Sequence, residues 1–382
     1  MAQCARLALP SRPDPKDNFM NFDFSEDQRR LQEEVRRVLK DISTSAEVRT
    51  VLDGKASYSA KTWQHLADLG ALGISIPEAF GGAGLGHLEL CLIAEEAGRA
   101  LAAVPLLSSI YLAAEAIKLG GSATQKAAWL PQLANGEVIA TAVLDPRAQT
   151  LAEGRRLTLV GGKLSGTIDA VPDGMAASIA VLYVDQRLVI VDLTSADVMR
   201  MPRASLDPSR PLAKLTFDGT AAEELSGGDT AAIARRITEG AAVLLAFEQV
   251  GGAERALYAA RDYALERHAF GRTIGSFQSV KHKLADMFAA IELARAHAYY
   301  GAWAMATDAP ELARAASAAR VAATDAYTFA AEESLHLHGG IGYTWEMDCH
   351  ILLRRARWLG QIIGTTHVWR DALAAALIEE AA

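Results

Sequence analysis

Two stretches of this sequence carry residue types suited to binding anions and flat rings. "RDYALERHAFGRTIGSFQSVKHKLADM", residues 261–287, sets Arg267, Arg272, Lys281 and Lys283 around a Phe-Gly-Arg step. Cationic side chains at such a corner make charge-assisted bonds to phosphate. Gln278 can donate to an anion and Phe270 can cover a ring. An ordinary helix hairpin with a solvated basic turn accounts for the same residues without a ligand. "HLHGGIGYTWEMDCHILLRRAR", residues 336–357, adds the adjacent glycines Gly339 and Gly340. They let a ligand approach the backbone and expose N–H groups to phosphate; a helix C-cap followed by a turn is the structural alternative. His336 and His338 lie two apart and Cys349 adjoins His350. Neither spacing puts two ligands on one helical face, so no metal site is expected.

Patterning indicates the elements that must position these stretches. Residues 25–134 read as helices: "SEDQRRLQEEVRRVLKDI" opens on Ser25 as N-cap, with Leu31, Val35 and Val38–Leu39 at helical spacing. A second helix, "HLELCLIAEEAGRAL", follows the glycine-rich loop at 80–86, and further helices fit 105–119 and 123–134. Near Gly136 the pattern changes to short β-branched runs, predicting five or more strands between 138 and 218, with a hairpin connection at Asp185-Gln186. Helical periodicity returns over 231–266, 276–307, 310–337 and 366–380, with Ser276 capping the second of these. The expected fold is α+β and multidomain. A flexible arm at 1–19 precedes an N-terminal α-helical domain at 20–135, a β-barrel or sandwich domain at 136–226 and a C-terminal four-helix-bundle domain at 227–382.

Composition removes several classes of function. A net charge of −8 argues against a nucleic-acid partner, because phosphate binding relies on clustered Lys and Arg. No apolar run reaches the ~18 residues of a membrane helix, and residues 1–19 lack the long apolar stretch of a signal peptide. They read as a loose arm upstream of Met20. Cys4, Cys91 and Cys349 are far apart, which suits a reducing compartment and a cytoplasmic location.

Together the two stretches resemble the acyl-CoA dehydrogenase family, whose signature runs Arg-x-x-Phe-Gly and then Phe-Gln, with Gly-Gly-x-Gly further on. "PEAFGGAGLGHLELCLIAEEAGRALAAVP" at 77–105 and "FDFSEDQRRLQEEVRRVL" near the start are also similar to that family, so the resemblance covers 22–382. It implies an FAD flavoprotein whose 266–278 segment binds largely the FAD of a neighbouring subunit. Arg267 would meet the pyrophosphate, and Phe270, Phe277 and Gln278 the adenosine side. His336, Gly339 and Gly340 would lie along the same dinucleotide from across the dimer interface. Thr365, in "GTTH", would touch FAD in its own subunit.

The resemblance also implies α,β-dehydrogenation of a saturated acyl-CoA to a 2-enoyl-CoA, with electrons passed to an electron-transfer flavoprotein. A carboxylate base takes the α-proton as hydride leaves the β-carbon. The family's commonest base is the Glu of a Glu-Gly-Thr step, but 24 residues after Gly339 this chain has Ile363. Other relatives place the base 26 residues ahead of the signature arginine, where this chain has Ala241, followed by Ala242 in place of the usual arginine. Both base positions are empty. Glu239, two residues off register, and Glu248, seven residues beyond Ala241 in "VLLAFEQVGG", are the remaining candidates on that helix. Pairing inside the bundle is the alternative for Glu248. The thioester carbonyl would still meet the Ile363 backbone N–H and a flavin ribityl hydroxyl. The family's Thr-Glu-Pro loop survives only as Asp145-Pro146. Three readings follow. One is a homo-oligomer using Glu239 or Glu248. Another is a mixed tetramer whose related partner supplies the base, as in relatives acting on steroid side chains. The third is a relative that binds CoA esters without net oxidation.

Overall fold

A computed structural model describes residues 24–145 and 156–381. The expected arm at 1–19 and residues 146–155 lie outside the described residues.

Local sequence signals account for several of the helix starts. Ser25 and Gln28 form a reciprocal capping box at the head of α1 (Glu26–Ile42), whose Leu31, Val35 and Leu39 share the buried face. α2 (Ser45–Leu52) and α3 (Ala60–Asp68) begin on the hydroxyls of Thr44 and Ser59. α4 (His87–Arg99) is buried along most of its length. The helix expected over 105–119 differs in kind. Residues Leu106–Ala114 are wound as a π-helix and pass into the short α5 (Glu115–Gly120), before α6 (Ala123–Ala134). Two π-helical hydroxyls anchor this segment to the strands that follow: Ser108 donates to Asp173 at 2.6 Å, and Ser109 accepts from the Ala140 N–H at 3.1 Å.

The strands are β1 (Ala140–Val143), β2 (Thr158–Val160), β3 (Lys163–Pro172), β4 (Ile179–Val184), β5 (Arg187–Asp192), β6 (Val198–Arg203) and β7 (Leu212–Glu224). Their order is β1-β4-β5-β7-β3-β2, with β6 also on β7. β1 runs parallel to β4, and every other pair is antiparallel. β7 is long enough to serve two sheets: its first part pairs with β3 and β6, and Ala222–Glu224 pair with β5. Asp185 and Gln186 both have positive φ and join β4 to β5 in a two-residue turn, the geometry that the right-handed strand twist favours.

The C-terminal part is built on α7 (Thr230–Glu266), α8 (Gln278–Ala306), α9 (Leu312–His338) and α11 (Thr366–Ala381). α7 packs along α9, α8 and α4, and α9 also meets α11. One further helix, α10 (Cys349–Leu359), packs on α9 and α7, where the sequence pattern suggests only a turn. The expected Ser276 cap is absent: α8 begins one residue after Phe277, and the Ser276 hydroxyl turns back to the Thr273 carbonyl at 2.7 Å.

α4 and α7 meet backbone to backbone. A Cβ on Gly98 would lie 1.9 Å from the Glu248 carbonyl oxygen, and one on Gly251 1.9 Å from that of Glu95. Backbone cannot yield as a side chain can. Gly98→Ala is therefore expected to destabilise by about 1–3 kcal/mol or more, read as a lower urea midpoint at unchanged m-value.

Candidate functional site

The basic corner is a tight turn between two long helices. α7 ends at Glu266 with Arg267 as its C-cap, and the chain makes a minimal hairpin, β8 (His268–Ala269) with β9 (Arg272–Thr273), before α8 begins. Phe270 and Gly271 form its two-residue tip with φ of 53° and 79°. Asn-Gly is the usual choice there, so an aromatic in the left-handed region is held at a conformational cost. Phe270 is 95% exposed. Phe277 meets Phe270 edge to face at 6.2 Å, and the Arg272 guanidinium lies 4.1 Å from the Phe277 ring centre. Arg267 and Gln278 are exposed beside them.

The glycine stretch joins this corner. Tyr263, one turn before Arg267, stacks on His338 with ring centres 4.4 Å apart, so the ends of α7 and α9 are adjacent. Gly339 follows with φ of 63°, and nothing lies within 4 Å of a Cβ placed on Gly339 or Gly340. Their backbone is open to a ligand. His336 is exposed, 3.7 Å from Glu333, which is paired with Lys283 of α8. Arg267, Phe270, Phe277, Gln278, His336, Gly339 and Gly340 thus share one end of the bundle.

Thr365 does not. It belongs to the turn between α10 and α11, which Arg320 grips from the N-terminal third of α9. Fully buried, Arg320 donates to the carbonyls of Leu359 and Ile362, and to Gln249 Oε1 at 2.6 Å; Gln249 in turn donates to Thr324 at 3.0 Å. Arg320 lies 18 residues before His338, about 27 Å along the helix at 1.5 Å per residue. The turn presents Ile363 with φ of 57°, an outlier for a β-branched residue. Its N–H donates to no backbone carbonyl among the described residues.

Neither remaining carboxylate is placed like a free base. Glu248 is 1% exposed and receives Arg210 at 2.8 Å, with Arg355 at 3.7 Å. Arg355 also binds Asp207 at 2.6 Å, Ser209 at 3.0 Å and the carbonyls of Leu101 and Ala102. Arg210 lies over the Trp358 ring at 4.6 Å. This buried group, with two arginines against two carboxylates, ties the end of α4, the loop before β7, α7 and α10 together. Glu239 is half-buried on α7; burial raises its pKa, and Arg235 and Arg236 oppose the rise. Ala241 and Ala242 are fully buried, and Ala241 faces a small cavity shared with α4, α5 and α8.

Sequence reasoning missed Arg320, Gln249, Arg355, Asp207 and Arg210. The available signal was weak: an isolated charged residue in an alanine-rich helical run, such as "AASAARVAATDA" around Arg320, or ordinary polar loop residues, as with Asp207 and Arg210.

The sequence matches the family profiles "Acyl-CoA dehydrogenase, N-terminal domain" over residues 25–137 and "Acyl-CoA dehydrogenase, C-terminal domain" over 231–378. This chain belongs to the acyl-CoA dehydrogenase family. It is 35% identical to acyl-CoA dehydrogenase IpdE2 of Mycobacterium tuberculosis, over 88% of this chain and 93% of that protein. Among solved structures it is similar to a variant of the Tcur3481-Tcur3483 steroid ACAD, with 29% identity, a TM-score of 0.84, and coverage of 93% of this chain and 99% of that one. The ChsE4-ChsE5 complex from Mycobacterium tuberculosis aligns with 25% identity and a TM-score of 0.85, over 94% and 99% of the two chains. As an acyl-CoA dehydrogenase the chain is an oxidoreductase acting on acyl-CoA, and the cofactor is FAD. The exposed Arg267 and the open backbone at Gly339 and Gly340 fit a phosphate-bearing dinucleotide. No described helix is long and apolar enough to cross a membrane, and no group of His, Cys, Asp and Glu among the described residues is arranged to hold a metal ion.

Proposed function

We propose that this chain is one subunit of a mixed tetramer that converts a saturated acyl-CoA to a 2-enoyl-CoA, with a related partner chain supplying the base. The observation that carries this is an acyl-CoA dehydrogenase framework whose two base positions hold Ile363 and Ala241, while Glu248 is locked in the buried group with Arg210 and Arg355. The two-component names of the Tcur3481-Tcur3483 and ChsE4-ChsE5 relatives support a heteromer. FAD, when bound, takes up the hydride lost from the β-carbon, and an electron-transfer flavoprotein receives the electrons.

The chain's own residues do the holding. Arg267, Phe270, Phe277 and Gln278, with His336, Gly339 and Gly340, grip the FAD of a neighbouring subunit. Thr365, on the turn held by Arg320 in the N-terminal third of α9, contacts the FAD of its own subunit. The separation of the two groups along that helix supports such a division. The N–H of Ile363, on a turn fixed by Arg320, polarises the thioester carbonyl and acidifies the α-proton without any side-chain base. The buried free thiols Cys91 and Cys349 suit a cytoplasmic setting.

A second reading is an active homo-oligomer using Glu239 as its base, a half-buried carboxyl that burial raises above its ordinary value. Affinity purification of the tagged chain at native expression separates the two. A second acyl-CoA dehydrogenase chain at equal stoichiometry supports the mixed tetramer; a pure homo-oligomer with turnover refutes it.

A further inference from the structure

We propose that Arg320 polarises the peptide group between Ile362 and Ile363, and that its buried charge thereby strengthens the N–H that meets the thioester carbonyl. This rests on the acyl-CoA reading above and gives that site a positioning residue.

One peptide unit links the two. Arg320 Nη2 donates to the Ile362 carbonyl at 3.1 Å, and the N–H of that same peptide belongs to Ile363. The peptide is trans, so the N–H points away from the carbonyl and from Arg320. A cation on the carbonyl oxygen draws electron density through the conjugated unit, and hydrogen bonds joined in this way strengthen one another. The backbone also leaves this donor unused. The N–H groups of Gly360, Gln361, Ile362 and Gly364 donate to backbone carbonyls at 3.0–3.2 Å, whereas that of Ile363 has no such partner among the described residues. Gly364, with φ of 114°, completes the turn against Trp369, whose Nε1 would lie 3.2 Å from a Cβ placed on the glycine.

The guanidinium has only neutral partners. Arg320 is 0% exposed. Besides Ile362 it donates to the Leu359 carbonyl, the last of α10, where the helix dipole favours a cation, and to Gln249 Oε1 at 2.6 Å. Its Nε has no partner, and it forms no ion pair among the described residues. Glu248, the carboxylate whose field reaches it, is held by Arg210 at 2.8 Å. Burial lowers the Arg320 pKa to about 9, against the pull of Glu248, so it stays a cation at neutral pH. A buried charge without a counterion is costly, and a neutral amide can hold the same carbonyls. What the amide cannot supply is positive charge behind the N–H as negative charge gathers on the thioester oxygen.

The test uses the FAD-loaded protein with whatever chain co-purifies, a series of saturated acyl-CoA thioesters, and a dye that takes electrons from the reduced flavin. Arg320→Gln keeps a donor and removes the charge; Arg320→Lys keeps the charge and loses the planar fork. On the best thioester, Arg320→Gln should lower kcat about 10-fold at nearly unchanged KM, a weakened donor costing less than the ~100-fold or more of a donor removed outright. Arg320→Lys should stay within about threefold of the unaltered protein, because the charge remains. With an isotope-labelled thioester carbonyl, the infrared stretch of the bound ligand should move toward its free frequency in Arg320→Gln and not in Arg320→Lys. Flavin content and melting temperature report folding, and Arg320→Met is a second neutral variant if the glutamine chain does not assemble. Unchanged kcat in the neutral variants overturns the inference. So does an Arg320→Lys as slow as Arg320→Gln, which would leave Arg320 a structural cap of α10. If no thioester binds the unaltered protein, the acyl-CoA reading itself fails, and the inference with it.

Discussion

Arg355→Met is expected to destabilise the protein by about 3–5 kcal/mol, the usual consequence of removing one member of a buried ion pair. Arg355 is 0% exposed, and its loss strands Asp207, also 0% exposed, without its 2.6 Å partner. It also frees the Leu101 and Ala102 carbonyls at the end of α4 and takes a positive charge away from Glu248. Four segments from all three parts of the chain meet here, so the damage should spread beyond one helix. Thermal unfolding followed by circular dichroism should show a melting point several degrees lower. Adding Asp207→Asn to Arg355→Met should recover part of the loss, because the uncompensated charge is then gone. A melting point unchanged in Arg355→Met would mean that this group does not hold the junction.

Arg267→Ala is expected to weaken FAD binding roughly 10- to 150-fold, the equivalent of about 1.5–3 kcal/mol for a hydrogen bond to a charged group. The guanidinium is exposed at the end of α7, so its removal disturbs no described packing. Arg267→Lys should regain part of the affinity by keeping the charge without the planar fork. Flavin absorbance per chain after gel filtration reads both. Full retention of flavin in Arg267→Ala would put this arginine outside the dinucleotide site.

Much of the fold could be read from local patterns, because the forces that set it are local. The Ser25 capping box, the Asp185-Gln186 turn and the β-branched runs of β4 and β5 each depend on neighbours a few residues away. α10 was harder to see. Its N-cap Asp348 makes no capping bond and spends its carboxylate on Ser45, Arg49 and Arg255. Ser276 misled for a related reason, since its hydroxyl bonds backward to Thr273. The Phe-Gly step fitted an ordinary helix hairpin, and the strand pair it makes needs an aromatic in a backbone region such residues seldom occupy.

The site was legible where family motifs mark it and opaque where long-range contacts build it. Arg355 and Asp207 are separated by 148 residues and Arg210 and Glu248 by 38, spacings that no helix or strand period relates. The same holds for His87 and Glu115, which meet only because α4 and α5 fold together. "VLLAFEQVGG" showed that Glu248 needed a partner, and only the fold supplies Arg210.

The central claim is that this chain binds FAD and that acyl-CoA chemistry is completed by a base it does not carry. The direct measurement is anaerobic mixing of the isolated, FAD-loaded chain with a panel of saturated acyl-CoA thioesters of differing chain length and bulk, watching the visible flavin band. The account predicts that the flavin stays oxidised in the isolated chain and bleaches once the partner chain is present, with Glu239→Gln leaving that bleaching intact. Bleaching by the isolated chain, slowed ~100-fold or more by Glu239→Gln as loss of a general base requires, would contradict it.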